Sequence, residues 1–168
     1  MLSAAAEIEA KNINLADIPK GANTIILGNK NAKNFAYILT DPECPICVKF
    51  HKESLNKVIA KRKDIAFKIL LYPLEMHKTA KQKSIDIIKS KDKIKALESA
   101  YNKKAVSKTP GSDAEAIAIV DANISFAKKN NIHGTPTIIF QDGSIKLSGM
   151  DPDGLINKMD SVFKSTKK

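Results

Sequence analysis

The sequence has 168 residues, of which 43% are hydrophobic and 27% charged, and its formal net charge is +10. This length suits one domain with a proper core rather than two, and no apolar run is long enough to span a membrane, so membrane embedding is not expected. Arg62 is the only arginine and no groove-reading motif accompanies the scattered lysines, which excludes nucleic acid as an expected partner and indicates a solvated basic surface.

The first half of the chain predicts a lead-in followed by alternating strands and a helix. Residues 3–16 are polar and helix-prone, and Pro19 and Gly21 end this stretch, so residues 1–22 are expected to form a lead-in helix or linker. The single folded domain is expected to comprise residues 23–168. Its first elements are predicted as strands at 23–27, 35–40 and 65–72, with a helix from Cys44 onward.

The second half predicts helices followed by a hairpin and a last helix. Apolar positions at helical spacing predict helices at 79–89, 92–102 and 113–129. Asp142-Gly143 predicts a tight hairpin turn between strands at 137–140 and 144–148. Asp151-Pro152 is typical of a helix start, and that helix is expected to reach residue 163. The resulting order of strands and helices indicates an α/β fold.

The two cysteines of the chain, Cys44 and Cys47, lie where a buried strand is followed by a helix. Unpaired N–H groups and the helix dipole favour an anion at a helix N-terminus, which lowers a cysteine pKa to somewhere in ~3.5–7.5. Pro45 suits the first helical turn because its missing N–H has no partner to lose there, and Ile46 completes the motif. We therefore expect Cys44 to be the attacking thiolate and Cys47 to resolve the mixed disulfide, with no metal and no cofactor beyond this redox-active pair.

Two other readings of the cysteine pair stay open at this stage. A structural zinc site needs four ligands, and the remaining candidates are His51, His77 and His133, which lie in separate segments. A metallochaperone could hold copper or zinc through both cysteines and His51 or His133. Alternatively, the pair is incidental in a basic surface-interaction domain. His51 shares a helix face with Cys47, and we expect it at the surface or partly packed.

The segment from Ile132 to Gly143 resembles the cis-proline segment of the thioredoxin superfamily, with Gly134, Thr135 and Pro136 just before a strand. The resemblance implies that this loop faces the cysteine motif and that backbone groups of Thr135 bind an extended client peptide beside a non-polar groove. It further implies a thioredoxin-like fold: a central mixed β-sheet with a helical insertion at about 75–130 between the βαβ unit and the C-terminal ββα unit.

Residues 35–53 are similar to the catalytic domain of the disulfide proteins DsbC and DsbG, with Asp41 after the strand, then the cysteine motif, Lys49 and His51. Tyr72-Pro73 and Gly149 extend the similarity to roughly residues 23–165. The resemblance implies a periplasmic location, client proteins with exposed or mispaired cysteines, and a membrane redox partner.

The sequence departs from these relatives in two informative ways. Ile38 stands where thioredoxin carries a buried acid used for proton transfer, which disfavours a dedicated cytosolic reductase. About 22 residues before the first strand cannot build the N-terminal dimerisation domain of DsbC and DsbG, so the chain is either part of a longer protein or a stand-alone catalytic domain. Without the dimerisation domain, we expect the chain to have only weak isomerase activity. No signal peptide is visible, and the small residues from Ser3 to Ala6 suggest a mature exported chain with an added start methionine.

Overall fold

The computed structural model describes residues 12–166, and residues 3–11 of the expected lead-in helix lie outside this range. The strands are β1 (Ile25–Gly28), β2 (Asn34–Thr40), β3 (Ile65–Leu71), β4 (Thr137–Ile139) and β5 (Ile145–Leu147). The α-helices are α1 (Pro45–Phe50), α2 (Asn56–Lys61), α3 (Ala80–Ile88), α4 (Lys93–Tyr101), α5 (Ala114–Lys129) and α6 (Pro152–Thr166). Every predicted strand and helix from residue 23 onward is present, and no end is shifted by more than three residues.

The five strands form one mixed sheet in the order β1-β3-β2-β4-β5. The central strands β2 and β3 are parallel, and every other neighbouring pair is antiparallel. Helices α3, α4 and α5 lie between β3 and β4 in the chain. This arrangement confirms the thioredoxin-like α/β fold, with a βαβ unit, a helical insertion and a C-terminal ββα unit. In the described part of the chain, no helix has the length and apolar character needed to cross a membrane.

Two hydrophobic clusters cover the two faces of this sheet. Successive side chains of a strand point to opposite faces, so Ile38 belongs to one cluster and Leu39 to the other. The same alternation separates Ile69 from Leu70 on β3. Burial on both faces explains why β2 and β3 are nearly continuous apolar runs.

The helix that follows Cys44 is interrupted, which the sequence did not predict. Residues His51–Leu55 form a π-helical turn between α1 and α2. The wider turn places His51, Ser54 and Leu55 all in buried positions, and the Ser54 hydroxyl donates to the carbonyl oxygen of Met150 at 2.7 Å. Single π turns inside helices occur often at functional sites, and this one begins one turn after the cysteine motif.

The described part of the lead-in packs against the hairpin. Asn12 forms an isolated β-bridge with Ser144, and the Ile13 N–H donates to the Gly143 carbonyl oxygen at 2.6 Å. The β-bridge shows that this stretch is extended rather than helical. The apolar side chain of Ile13 is buried in the core. Of the two structures expected for the lead-in, residues 12–14 therefore adopt the linker and not the helix. Two short 3-10 helices, Leu15–Asp17 and Lys20–Asn23, then lead into β1.

Candidate active site

Cys44 occupies the N-cap position of α1, immediately after β2. Its φ and ψ of −83° and 118° are extended, and its N–H donates to the Asp41 carbonyl oxygen at 3.1 Å. Pro45 begins the helix, and the Val48 N–H donates to the Cys44 carbonyl oxygen at 3.1 Å. The Cys44 thiol therefore lies beside the unpaired N–H groups of the first turn, as the sequence predicts.

The two thiols are free and their pKa values move in opposite directions. A hydrogen bond from the Cys47 thiol, helped by the backbone N–H groups of Cys47 and Ile46 and by Thr135, lowers the pKa of Cys44 to about 5. Burial raises the pKa of Cys47, which is 1% exposed. The arrangement holds one sulfur as a thiolate and the other as the thiol that donates to it.

The loop before β4 lies against Cys44. The Thr135–Pro136 peptide bond is cis, as expected, and the Cys44 Sγ lies 3.6 Å from the Thr135 carbonyl oxygen. The Thr137 hydroxyl donates to the Gly134 carbonyl oxygen at 2.8 Å, which ties the loop to the start of the strand. The structure thus brings together all the residues predicted for the site: Cys44, Pro45, Ile46, Cys47, Gly134, Thr135 and Pro136.

A buried polar cluster lies behind Cys47. The Thr40 hydroxyl interacts with the Cys47 thiol and is hydrogen bonded to the hydroxyl of Tyr101, whose pKa is raised by burial. The His51 ring packs on Tyr101 with 5.1 Å between ring centroids, and its Nε2 lies 3.0 Å from Glu98 Oε2. His51 is 1% exposed, so the expectation of a surface or partly packed histidine is wrong; the π turn directs it towards α4.

Asp41 and His77 form an ion pair beside the cysteine motif that the sequence reading missed. The Asp41 carboxylate is fully buried and accepts hydrogen bonds from the Glu43 N–H at 2.8 Å, the Leu74 N–H at 2.8 Å and His77 Nδ1 at 2.7 Å. The bond to Asp41, together with the charges of Asp41, Cys44 and Glu43, raises the pKa of His77. The signal was present: Asp41 follows β2 and His77 follows β3, and the carboxyl ends of neighbouring parallel strands meet at one edge.

The histidines do not converge on the cysteines to make a metal site. His51 is bonded to Glu98, His77 to Asp41, and His133 is exposed on the loop before Gly134. Across residues 12–166, no group of three or more histidine, cysteine, aspartate and glutamate side chains is arranged to hold a metal ion. Within these residues, the histidine ligand that the metallochaperone alternative needs is therefore not grouped with the two cysteines.

A groove of about 730 Å³ lies beside the site, between the loop that follows β3 and helix α5, with His133 in its wall. Its lining includes charged side chains as well as apolar ones. Lys128 pairs with Glu75 at 3.0 Å and Lys81 with Asp121 at 2.8 Å, so ion pairs connect α5 to the loop and to α3 along the groove. Apolar side chains are exposed at Ile46, within the cysteine motif, and at Met76, next to His77.

Comparison with known proteins agrees with this geometry. A family model described as a thioredoxin-like domain matches residues 22–162. No curated protein matches the sequence detectably.

Solved bacterial structures share the fold at low sequence identity. A disulfide interchange protein from Neisseria gonorrhoeae has 20% identity and a TM-score of 0.69, over 86% of this chain and 98% of that one. A periplasmic thioredoxin-like protein from Salmonella enterica serovar Typhimurium has 18% identity and a TM-score of 0.72, over 92% of this chain and 99% of that one. DsbA2 from Pseudomonas aeruginosa has 19% identity and a TM-score of 0.65, over 82% of this chain and 93% of that one.

Proposed function

We propose that this chain, which belongs to the thioredoxin-like domain family, is a thiol–disulfide oxidoreductase that exchanges disulfides with cysteine-containing client proteins. One observation carries the proposal. Cys44, with its pKa lowered to about 5, lies at the start of α1 and 3.6 Å from the Thr135 carbonyl oxygen, while the partner thiol Cys47 is buried behind it. A low-pKa thiolate backed by a second thiol is the arrangement that thiol–disulfide exchange requires.

The exchange proceeds in two steps. The Cys44 thiolate attacks a client disulfide, so that a bond forms from Cys44 Sγ to one client sulfur and the other client sulfur leaves as a thiolate. Cys47 then loses its proton and attacks Cys44 Sγ, which releases the first client sulfur and leaves the Cys44–Cys47 disulfide. The reverse sequence oxidises a client dithiol. The exposed Ile46 next to Cys44 suits client segments with apolar residues beside their cysteines.

We propose that the chain is of the DsbC/DsbG-like interchange subtype. We further propose that it is located in the periplasm and has a membrane redox partner. The similarity of residues 35–53 to those catalytic domains supports the subtype, and the words "disulfide interchange" in the name of the Neisseria structure are in keeping with it. The periplasmic description of the Salmonella structure supports the location. The low pKa of Cys44 stabilises the reduced form, and we therefore infer a comparatively oxidising pair.

Trapping of mixed disulfides tests the proposal directly. A Cys47→Ser variant, incubated with a protein that contains a disulfide, is expected to retain that protein covalently on Cys44 until a reductant is added. The matched Cys44→Ser variant is expected to trap nothing, because the remaining thiol is buried and protonated. Equal trapping by both variants, or undiminished disulfide reduction by Cys44→Ser, contradicts the proposal. Equilibration of the intact protein with glutathione redox buffers then gives the reduction potential and the direction of exchange.

A further inference from the structure

The Asp41–His77 pair is a second polar assembly at the redox site, and the two exchange steps above leave it unused. The backbone holds His77 in place: its N–H donates to the Leu74 carbonyl oxygen and its carbonyl accepts from the Ala80 N–H, both at 3.0 Å. Its side chain is 23% exposed, whereas that of Asp41 is fully buried. The imidazole therefore spans the boundary between a buried carboxylate and solvent.

Asp41 orients this imidazole. Three donors fix the carboxylate, one from the segment after β2 and two from the loop after β3, and one of these two is His77 Nδ1 at 2.7 Å. Because an ionised carboxylate accepts a hydrogen bond from Nδ1–H, which keeps its proton, Nε2 is the ring nitrogen left for proton exchange. The same division of labour, in which a buried aspartate holds a histidine in one tautomer, operates in hydrolytic triads.

Most of the charged groups around His77 are paired with one another or with His77 itself. Asp41, Glu43 and Cys44 act on His77 directly and favour its protonated form. Glu43 in turn accepts from Thr79 and pairs with Lys83 at 3.1 Å. The other ionisable side chains that line the groove with His77 are Tyr72, Glu75, Lys78, Lys81, Asp121, Lys128 and His133. Within that set, Glu75 is paired with Lys128 and Lys81 with Asp121.

We propose that His77 exchanges a proton with the client sulfur during disulfide exchange at Cys44, and that Asp41 is the positioning residue that orients it. This inference rests on the proposed function and deepens it. Asp41 is bonded to both residues: its carboxylate accepts from His77 Nδ1 at 2.7 Å, and its carbonyl oxygen accepts from the Cys44 N–H at 3.1 Å. The charge of Cys44 also acts on His77, and the proposal places a client sulfur held at Cys44 within reach of the imidazole.

The proton balance of the first exchange step defines the role. The Cys44 thiolate forms a bond to one client sulfur, the client disulfide breaks, and its electron pair leaves on the second client sulfur. Protonated His77 gives its Nε2 proton to that departing thiolate and later regains one from water. In reverse, neutral His77 takes the proton of an incoming client thiol, whose thiolate attacks the Cys44 mixed disulfide and displaces Cys44 as a thiolate.

Leaving-group dependence distinguishes this role from a merely electrostatic or structural one. An alkyl disulfide such as oxidised glutathione releases a basic thiolate that needs a proton, whereas an aromatic nitrobenzoate disulfide releases a stable thiolate that does not. A His77→Asn variant is expected to react about tenfold more slowly than the parent with the alkyl disulfide and nearly as fast with the aromatic one. Lys128→Gln, which removes a positive charge elsewhere in the same groove, is the matched control and is expected to change neither rate.

Each outcome decides the matter. Equal slowing of His77→Asn with both disulfides, or no slowing with either, overturns the role of His77 alone while the parent still exchanges. Failure of the parent protein to exchange with either disulfide overturns the proposed function and this inference together.

Nuclear magnetic resonance titration of the His77 ring provides a measurement that keeps His77 and does not use the His77→Asn variant. In the reduced parent, the pKa of the His77 imidazole is expected to lie above its ordinary value. In Cys44→Ser this pKa is expected to fall, because the charge of Cys44 is removed. An identical His77 titration in the two proteins shows that the imidazole does not sense the reacting sulfur and overturns the inference.

Discussion

Cys44 Sγ lies 3.6 Å from the carbonyl oxygen of Thr135, although 91 residues separate them in the chain. Sheet pairing produces this proximity. β2 and β4 are antiparallel neighbours with Leu39 opposite Thr137, so the end of β2 meets the start of β4. Cys44 follows β2 closely and Thr135 just precedes β4, which places the helix N-terminus and the cis-proline loop at one edge of the sheet.

Removal of the Cys47 thiol is expected to raise the pKa of Cys44. The largest contribution to the low value of about 5 is the hydrogen bond from Cys47, so Cys47→Ala loses it while the backbone N–H groups of the helix remain. The rate of iodoacetamide alkylation measured against pH reports the change.

In the parent, Cys44 should be alkylated at acidic pH and Cys47 protected, with peptide mass spectrometry as the check. Preferential alkylation of Cys47 reverses the assigned roles of the two thiols.

The stability difference between the reduced and oxidised forms is expected to depend on pH. In the unfolded chain both thiols have a pKa of about 8.5. Because folding lowers the pKa of Cys44 to about 5, its ionisation stabilises the reduced protein fully above about pH 8.5 and this contribution is lost as the pH falls toward 5. The raised pKa of Cys47 acts in the opposite sense, but only above about pH 8.5.

Urea unfolding of both redox forms at pH 5 and pH 8 measures this effect. The reduced form should gain free energy of unfolding relative to the oxidised form between the two values. The Asp41–His77 pair has the opposite pH dependence, because the raised pKa of His77 gives stability that is lost as pH rises. The pair is present in both redox forms, so its contribution largely cancels in the difference between them. A gap that does not change with pH contradicts an ionised Cys44 in the reduced fold.

The strands, the helices and the residues of the site could be predicted because their signals are local. Apolar runs, a proline after Cys44 and Asp142-Gly143 each determine a conformation from neighbouring residues. The π turn carries no comparable local signal, since it depends on packing of Ser54 and His51 against Met150 and Glu98 from distant segments. The burial of His51 was misjudged for this reason.

The Asp41–His77 pair was missed for a different reason. The sequence indicates each residue only separately, Asp41 as part of a family pattern and His77 as a possible metal ligand. Their contact follows only from the parallel pairing of β2 with β3, which places the loops after both strands at one edge. Predicting it therefore required the strand order, not only the strands.

Replacement of Tyr101 by phenylalanine is expected to lower the free energy of unfolding by about 1–2 kcal/mol. The change removes the hydroxyl that bonds to Thr40 and leaves the Thr40 oxygen without that partner in a fully buried environment. Urea denaturation measures the loss. Tyr37→Phe is the control, because Tyr37 is half-buried on β2, and its change should stay within about 0.5 kcal/mol. Equal losses in both variants contradict a stabilising role for the Thr40–Tyr101 bond.

Gly143→Ala is expected to destabilise the protein by about 2–4 kcal/mol and to release the segment around Ile13. Gly143 has a φ of +85°, and a Cβ there would overlap the Ile13 carbonyl oxygen, which approaches it from the lead-in. Gly111 is the matched control: its φ is +115°, but a Cβ would meet nothing within 4 Å, so Gly111→Ala should cost only about 1 kcal/mol. Urea denaturation compares the two. Because both glycines have positive φ and only one lies against another backbone, the difference measures the close approach of the lead-in to the hairpin. Equal losses mean that backbone conformation alone accounts for the effect and that the lead-in is not held there.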